Sequence, residues 1–363
     1  MPETIDIKKL SEWGVPFDKV MFIAGPCSAE SEDQLMQTAL GLKDSRVNML
    51  RAGIWKPRTR PGSFEGVGEK GLKWLKNAGN AINVPVTTEV ATPEHVEACL
   101  KAGIDILWIG ARTTTNPFAV QAVADALQGV DIPVMIKNPI NPDIELWGGA
   151  IERLNRVGVK RLAAIHRGFS TYEKSKFRNQ PIWRIPIEKK RRRPHLPMFC
   201  DPSHICGNRD LLLYVAQNAM DLLFDGIMLE VHIDPASALS DSKQQLTPEG
   251  YDRLLSKLKI KKLTSESEDF KKHIKSLRQA IDKLDHQLLE VLAQRMSNAK
   301  EIAIHKMNHN ISLFQPGRFD ETAKNWIKDG RELSQDLSEE FLSQMYRFIH
   351  EESLRLQEEV LTD

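Results

Sequence analysis

The chain has 363 residues, 41% hydrophobic and 27% charged, and its 50 Lys and Arg balance 49 Asp and Glu to a formal net charge of +1. That length asks for one large domain plus a smaller one, and the balanced charge excludes a general polyanion binder such as a nucleic-acid coat. No window is apolar enough to span a membrane, MPETIDIKKLSEWG carries no leader, and Cys27, Cys99, Cys200 and Cys206 form no C-x-x-C pair, which argues for a cytoplasmic protein without a disulfide framework or zinc knuckle.

From Val20 to about Ile260, short apolar runs alternate with amphipathic stretches. Read as strands, the runs are VMFIAG, NMLRAG, VPVTTEV, ILWIGA, PVMIKN, RLAAIH, PMFCDPS and GIMLEVH. Between them EDQLMQTALGLKD, GEKGLKWLKNAGN, TPEHVEACLKAG, NPFAVQAVADALQG, ELWGGAIERLNRVG and NRDLLLYVAQNAMDLL have helical apolar spacing, several with an Asn, Thr or Pro start or a Gly stop. Eight such units predict an α/β fold, a closed (β/α)8 TIM barrel over residues 1–260, with a doubly wound open sheet as the alternative. One unit, GFSTYEKSKFRNQPIWRIPIEKKRRRP, is irregular, and its EKKRRRP run (188–194) is expected to be a solvent-facing loop rather than a nucleic-acid site.

In this fold chemistry collects at the C-terminal ends of the strands, and the polar residues fall there. Cys27 follows strand one, Arg51 and Lys56-Pro57-Arg58-Thr59 follow strand two, Glu89 ends strand three and Arg112 strand four. Lys137 ends strand five, Arg167 follows strand six, His204 strand seven, and Glu230 and Asp241 flank the end of strand eight. In a closed barrel, strand eight lies between seven and one. Cys27, His204, Glu230 and Asp241 therefore fit a site for a divalent transition metal such as manganese, iron, cobalt or zinc; a thiolate and an imidazole suit magnesium or calcium poorly. The cations Arg51, Lys56, Arg58, Arg112, Lys137 and Arg167 exceed the remaining acids, so the same rim is expected to bind phosphate and carboxylate. His232 reads as a histidine supporting the site rather than as a ligand.

Beyond Lys257 the texture changes. Residues 261–272 read as a charged linker, and 273–363 as an all-α domain of three helices. The long first helix carries Ile274, Leu277, Ile281, Leu284, Leu288, Leu292 and Met296 close to one stripe, and two shorter helices are expected around Arg318–Gly330 and Ser338–Leu361. Such a domain has too little core of its own, which predicts that it packs against a second copy, a homo-oligomer.

AGPCSAES, RAGIWKPRTRPGSF, GARTT, IHRG, DPSH and LEVH with SDSKQQL resemble 3-deoxy-D-arabino-heptulosonate 7-phosphate (DAHP) synthases of the short type I lineage, over nearly all of residues 20–260. The resemblance implies a barrel that joins phosphoenolpyruvate to erythrose 4-phosphate. It implies the metal ligands Cys27, His204, Glu230 and Asp241. Arg51, Lys56, Arg112, Lys137 and Arg167 would hold phosphoenolpyruvate, and Arg58 and Thr59, in KPRT with Pro57, the sugar phosphate. KPRT favours the four-carbon sugar over the substrate of the related octulosonate-forming enzymes. Lys56 would donate a proton to the new alkoxide and Glu89 would orient water. Lys137 departs from the family in standing in KNPINPD. No ferredoxin-like regulatory domain is expected ahead of strand one.

LRQAIDKLDHQLLEVLAQR, IHKM, QPGRF and HEESLRLQ resemble the all-α chorismate mutases. The match puts Arg278, Arg295, Lys306, Arg318, Ser353 and Gln357 around chorismate and prephenate, in an intertwined dimer whose Arg278 comes from the partner chain. Gln315 and Phe319 stand where many relatives have acids. The expectation is a bifunctional cytoplasmic enzyme in which this domain also mediates feedback. The alternative is a DAHP synthase with a noncatalytic helical regulator.

Overall fold

The structure is a computed structural model, and it describes residues 5–56, 62–172, 175–262 and 264–362. The chain divides into two compact units, Met1–Leu263 and Thr264–Asp363.

The first unit is a closed barrel of parallel strands in sequential order: β1 (Met21–Gly25), β2 (Met49–Arg51), β3 (Val86–Val90), β4 (Ile106–Ile109), β5 (Val134–Lys137), β6 (Leu162–His166), β7 (Met198–Cys200) and β8 (Gly226–Glu230). The helices around it are α1 (Glu32–Gly41), α2 (Lys70–Ile82), α3 (Pro93–Lys101), the single turn α4 (Ala111–Thr114), α5 (Pro117–Ala126), α6 (Ile144–Arg156), α7 (Arg184–Arg192), α8 (Pro202–Cys206), α9 (Leu212–Asp221) and α10 (Pro248–Lys257). The strands are continuous apolar runs because both faces are covered. Met21, Ile23, Met49, Ile106, Trp108, Met135, Ala163, Ile165, Phe199 and Met228 fill the interior, while their neighbours Phe22, Ala24, Leu50, Leu107, Ile136, Ala164, Met198 and Ile227 pack outward under the helices. The N-terminal residues Leu10, Trp13 and Val15 join the interior cluster, a closure of the barrel that no periodicity announced.

Period two then decides what stands at the top of the barrel. The inward register that holds Met49, Met135 and Met228 continues to Arg51, Lys137 and Glu230, and Glu89 lies level with Trp108 across the β3–β4 pair. Gly25, level with Glu230, has φ +141, and a Cβ there would sit 2.1 Å from the carbonyl oxygen of Arg51. Only glycine lets β1 pass so close beneath the site.

One expectation is overturned. EKKRRRP is not a loop: Glu188–Arg192 lie in α7, the helix between β6 and β7. Glu188 pairs with Arg191 and Arg192 three and four residues on, which stabilises a helix built from few apolar residues. Arg193 reaches Glu152, Lys190 bonds the Leu223 carbonyl, and Lys189 is buried with its ammonium 6.0 Å from the Trp147 ring. The run is basic because it clamps the helix to its neighbours.

His166 ends β6 fully buried among Phe169, Trp183 and Phe224, at ring distances of 5.7, 5.2 and 6.3 Å. Burial first, and then the charge of Arg167, push it down to about 3. Below pH 6.5 the unfolded chain therefore takes up a proton that the native barrel refuses, so stability falls with pH by ~1.4 kcal/mol per unit until pH approaches 3. His166→Phe should remove that term: the fall in unfolding free energy between pH 7 and pH 4.5, measured by denaturant titration, should shrink by roughly 2–3 kcal/mol. An unchanged fall would show that His166 is already protonated in the native barrel.

The second unit is helical: α11 (Glu268–Asn308), α12 (Pro316–Leu333) and α13 (Glu339–Thr362). Helix α11 begins inside the charged stretch 261–272 because Ser267 caps it, accepting from the Phe270 amide, with Glu268 and Asp269 at the positive end of its dipole. Ala299, Ala303, Leu342, Tyr346 and Ile349 are its buried apolar residues, and at Gly330 helix α12 approaches so closely that a Cβ would lie 2.5 Å from Leu342. The forward half of α11 is uncovered, with Leu277, Ile281, Leu284 and Leu288 exposed by 48, 55, 62 and 46%.

Candidate active sites

The strand ends of the barrel enclose a cavity of about 620 Å³ lined by Cys27, Arg51, Lys56, Glu89, Arg112, Lys137, Arg167, His204 and Asp241. Glu230 lies beneath it, fully buried. Pro57, Arg58 and Thr59 lie outside the described residues.

At one wall, the Cys27 thiol and a carboxylate oxygen each of Glu230 and Asp241 lie within 4.8 Å of one another. The His204 ring stands beside them, its Nε2 3.8 Å from Glu230 Oε1 and its Nδ1 2.8 Å from Asp201 Oδ2. Asp201 thus turns the ring so that Nε2 faces the group, the usual support for a ligating imidazole. Burial, opposed by Asp201, lowers the His204 pKa, which keeps a lone pair free at neutral pH. Burial together with Glu230 pushes the Cys27 thiol up to about 12, so the thiol ionises only if a cation joins it. Glu230 Oε1 is buried without a hydrogen-bond partner, and Lys56 Nζ leans on the thiol at 2.9 Å. One sulfur, one nitrogen and two carboxylates with an orphaned oxygen fit a first-row divalent ion.

The loops that carry these residues are tied to one another. Gln244 donates to Glu230 Oε2 at 2.7 Å and accepts from Arg178, whose Nη1 also holds Asp241 Oδ1 at 2.8 Å. Gln245 accepts from the Cys27 amide and donates to the Ser240 carbonyl. Asp241 has φ 47, a left-handed conformation that aspartate tolerates and that marks a functional turn. His232 is buried, its Nδ1 accepting from the Asp234 amide and its Nε2 3.5 Å from Glu30, so it braces this loop against the one after β1.

The opposite wall is cationic. Arg51 is 1% exposed and 3.3 Å from Glu230, yet its Nε and Nη1 have no partner. Lys137 bonds Asp201 at 2.9 Å and Arg167 bonds Asn179 at 2.8 Å. Burial, partly offset by Asp201, brings Arg167 down to about 10, still charged at neutral pH. Arg112 is exposed at the rim. Buried cations with idle donors are built to receive an anion.

In the helical unit Arg295, Lys306, Arg318, Ser353 and Gln357 line one cavity of about 370 Å³, together with Gln315, Phe319 and His350. Arg295 donates to Ser353 Oγ at 2.5 Å, Lys306 to the Leu313 carbonyl at 2.6 Å, and Arg318 to Glu321 at 3.1 Å. His350 Nε2 and Gln357 Oε1 are buried without partners. Burial and the charges of Arg295 and Lys306 lower the His350 pKa. Arg278 is not in this cavity: it is exposed on α11, 17 residues before Arg295, or roughly 25 Å along the helix.

Sequence reasoning missed Trp108, Arg178, Gln244 and His350. Three stand in quoted or irregular stretches (SDSKQQL, HEESLRLQ, KFRNQ), but nothing in their spacing set them apart from solvated polar residues.

Residues 17–266 match the model of the DAHP synthetase I family and residues 277–358 that of chorismate mutase type II. The phospho-2-dehydro-3-deoxyheptonate aldolase of Thermotoga maritima is 37% identical over 237 residues, 65% of this chain and 68% of that protein. The 2-dehydro-3-deoxyphosphooctonate aldolase of Aromatoleum aromaticum is 28% identical over 264 residues, 64% of this chain and 88% of its own. A crystal structure of the Thermotoga maritima DAHP synthase superposes with a TM-score of 0.62 at 32% identity, covering 69% of this chain and 72% of that one.

Proposed function

The chain belongs to the DAHP synthetase I family, and on that premise we propose that its barrel condenses phosphoenolpyruvate with erythrose 4-phosphate at a metal site made by Cys27, His204, Glu230 and Asp241. It is a bifunctional enzyme, a DAHP synthase with a chorismate mutase after it. The observation that carries the metal reading is the thiol and two carboxylates within 4.8 Å at the edge of a cation-lined cavity.

Arg51, Arg112, Lys137 and Arg167, all lining the cavity, hold the carboxylate and phosphate of phosphoenolpyruvate. Arg58 and Thr59 hold the phosphate of the sugar. When bound, the metal, manganese first and iron, cobalt or zinc as alternatives, supplies a Lewis acid that makes the aldehyde carbon electrophilic. The enol-like C3 of phosphoenolpyruvate attacks that carbon, and Lys56, on its flexible stem, gives a proton to the oxygen that becomes a hydroxyl. Glu89 orients the water that adds at C2, and the surrounding cations stabilise the departing phosphate.

In the helical unit, Arg295, Lys306 and Arg318 hold the two carboxylates of chorismate, and Gln357 meets its ether oxygen as charge gathers there. The uncovered stripe of α11 and the distance of Arg278 from the cavity support an intertwined dimer in which Arg278 of one chain serves the site of the other.

Chelation separates the two activities. Protein stripped with EDTA should leave phosphoenolpyruvate and erythrose 4-phosphate unconsumed while still converting chorismate, and added manganese should restore phosphoenolpyruvate loss. Full phosphoenolpyruvate loss by protein whose metal content is nil by atomic spectrometry would overturn the metal site.

A further inference from the structure

Trp108 has no role in the chemistry above, yet one indole touches three of the groups that do. It stands in β4 at the top of the apolar interior, 1% exposed, and it lines the floor of the cavity. Its Nε1–H donates to Glu89 Oε2 at 2.8 Å. The guanidinium carbon of Arg51 lies 5.0 Å from the centre of its ring and the Lys137 ammonium 5.6 Å.

Two buried cations gathered around one ring repel one another and need a counter-field. Carboxylates alone would supply it by neutralising them, which spends the charge an incoming anion needs. Here each cation has one acid, Glu230 for Arg51 and Asp201 for Lys137. The remaining support comes from an aromatic face, whose quadrupole attracts a cation without cancelling its charge or occupying its donors. Arg51 Nε and Nη1 have no hydrogen-bond partner. The same indole, through its edge, fixes the carboxylate of Glu89.

We propose that Trp108 is the positioning residue of the phosphoenolpyruvate pocket: its ring presents Arg51 and Lys137 to the anion and its N–H sets Glu89. The inference rests on the barrel's reading as a phosphoenolpyruvate-condensing site and adds the group that organises it. The two halves of the role separate by substitution. Trp108→Phe keeps an aromatic face and loses the N–H; Trp108→Leu loses both.

The test uses full-length, manganese-loaded protein, with steady-state kinetics for both substrates and calorimetric titration of phosphoenolpyruvate into wild type and both variants. Trp108→Leu should weaken phosphoenolpyruvate binding and raise its KM by roughly tenfold or more, the loss of two cation–π contacts, with the KM for erythrose 4-phosphate within about twofold. Trp108→Phe should keep phosphoenolpyruvate affinity within about threefold and lose roughly tenfold in kcat, because Glu89 is no longer held. Unchanged phosphoenolpyruvate affinity in Trp108→Leu, against clear binding by wild type, would overturn this inference alone. So would parallel losses in both KM values, metal content and Tm, the pattern of a residue that only fills the core. If wild type itself binds no phosphoenolpyruvate, the reading of the barrel falls and this inference with it.

Discussion

Cys27→Ala is expected to lower the condensation of phosphoenolpyruvate with erythrose 4-phosphate by at least about a thousandfold, corresponding to ~4 kcal/mol of lost transition-state stabilisation. Chorismate conversion by the same protein should stay within about twofold. The size follows from what the thiol contributes. It is the soft, strong donor of the set, and in the folded barrel it is 0% exposed, so that burial first, and then Glu230 and Asp241, raise its pKa. A metal binding there would have to displace the thiol proton, and the thiolate would then join Glu230 and Asp241 in offsetting the charge of the cation. Alanine leaves two carboxylates and an imidazole, a donor set nearer to that of weakly held, water-rich cations.

Two measurements check this. Metal per chain after gel filtration should fall, and added manganese at millimolar concentration should recover only part of the rate. The loss of fold is small, because replacing sulfur by hydrogen in a buried position costs about 1 kcal/mol, and the Tm supplies that control. A variant that retains stoichiometric metal and wild-type phosphoenolpyruvate loss would remove Cys27 from the site.

What could be read in advance, and what could not, divides along physical lines. The strands were legible because a parallel strand covered on both faces must be apolar throughout, and runs such as MFIAG and GIMLE have no other stable environment in water. The rim was legible because a charge that ends such a run cannot be core. Arg51, Lys137 and Glu230 follow Met49, Met135 and Met228 by two residues and therefore face inward at the top.

Trp108 defeated the same logic, since an aromatic residue within ILWI looks like filler until its neighbours across the barrel are known. Arg178 and Gln244 act through partners 63 and 14 residues away, Asp241 and Glu230, and no periodicity encodes those distances. EKKRRRP was misread because its composition is that of a solvated loop. Its helicity comes from pairs that cancel its charge locally, Glu188 with Arg191 and Arg192, and from Glu152 and Asp225 on neighbouring elements. Arg295, Lys306, Arg318, Ser353 and Gln357, which line one cavity, fall on three helices, so only resemblance could group them before folding did.

Arg295→Ala should reduce kcat/KM for chorismate by about a thousandfold while phosphoenolpyruvate loss stays unchanged. Arg295 stands mid-cavity, partly buried and bonded to Ser353, which in turn bonds the Ile349 carbonyl, so its guanidinium is held before substrate arrives. Lysine should recover little, because a point charge cannot repeat the planar two-donor grip on a carboxylate. Arg278→Ala should match the loss, although Arg278 lies outside the cavity of its own chain. The two variants then allow a test that neither gives alone. If each site takes Arg295 from one chain and Arg278 from the other, a mixed dimer of the two variants contains one doubly broken site and one intact site. Random exchange at equal concentrations puts half of the chains in mixed dimers, so activity should return to about one quarter of wild type. Exchange without recovery, with one variant labelled with nitrogen-15 so that mixed dimers are verified by mass, would place Arg278 outside the mutase site and leave the exposed stripe of α11 to dimerisation alone.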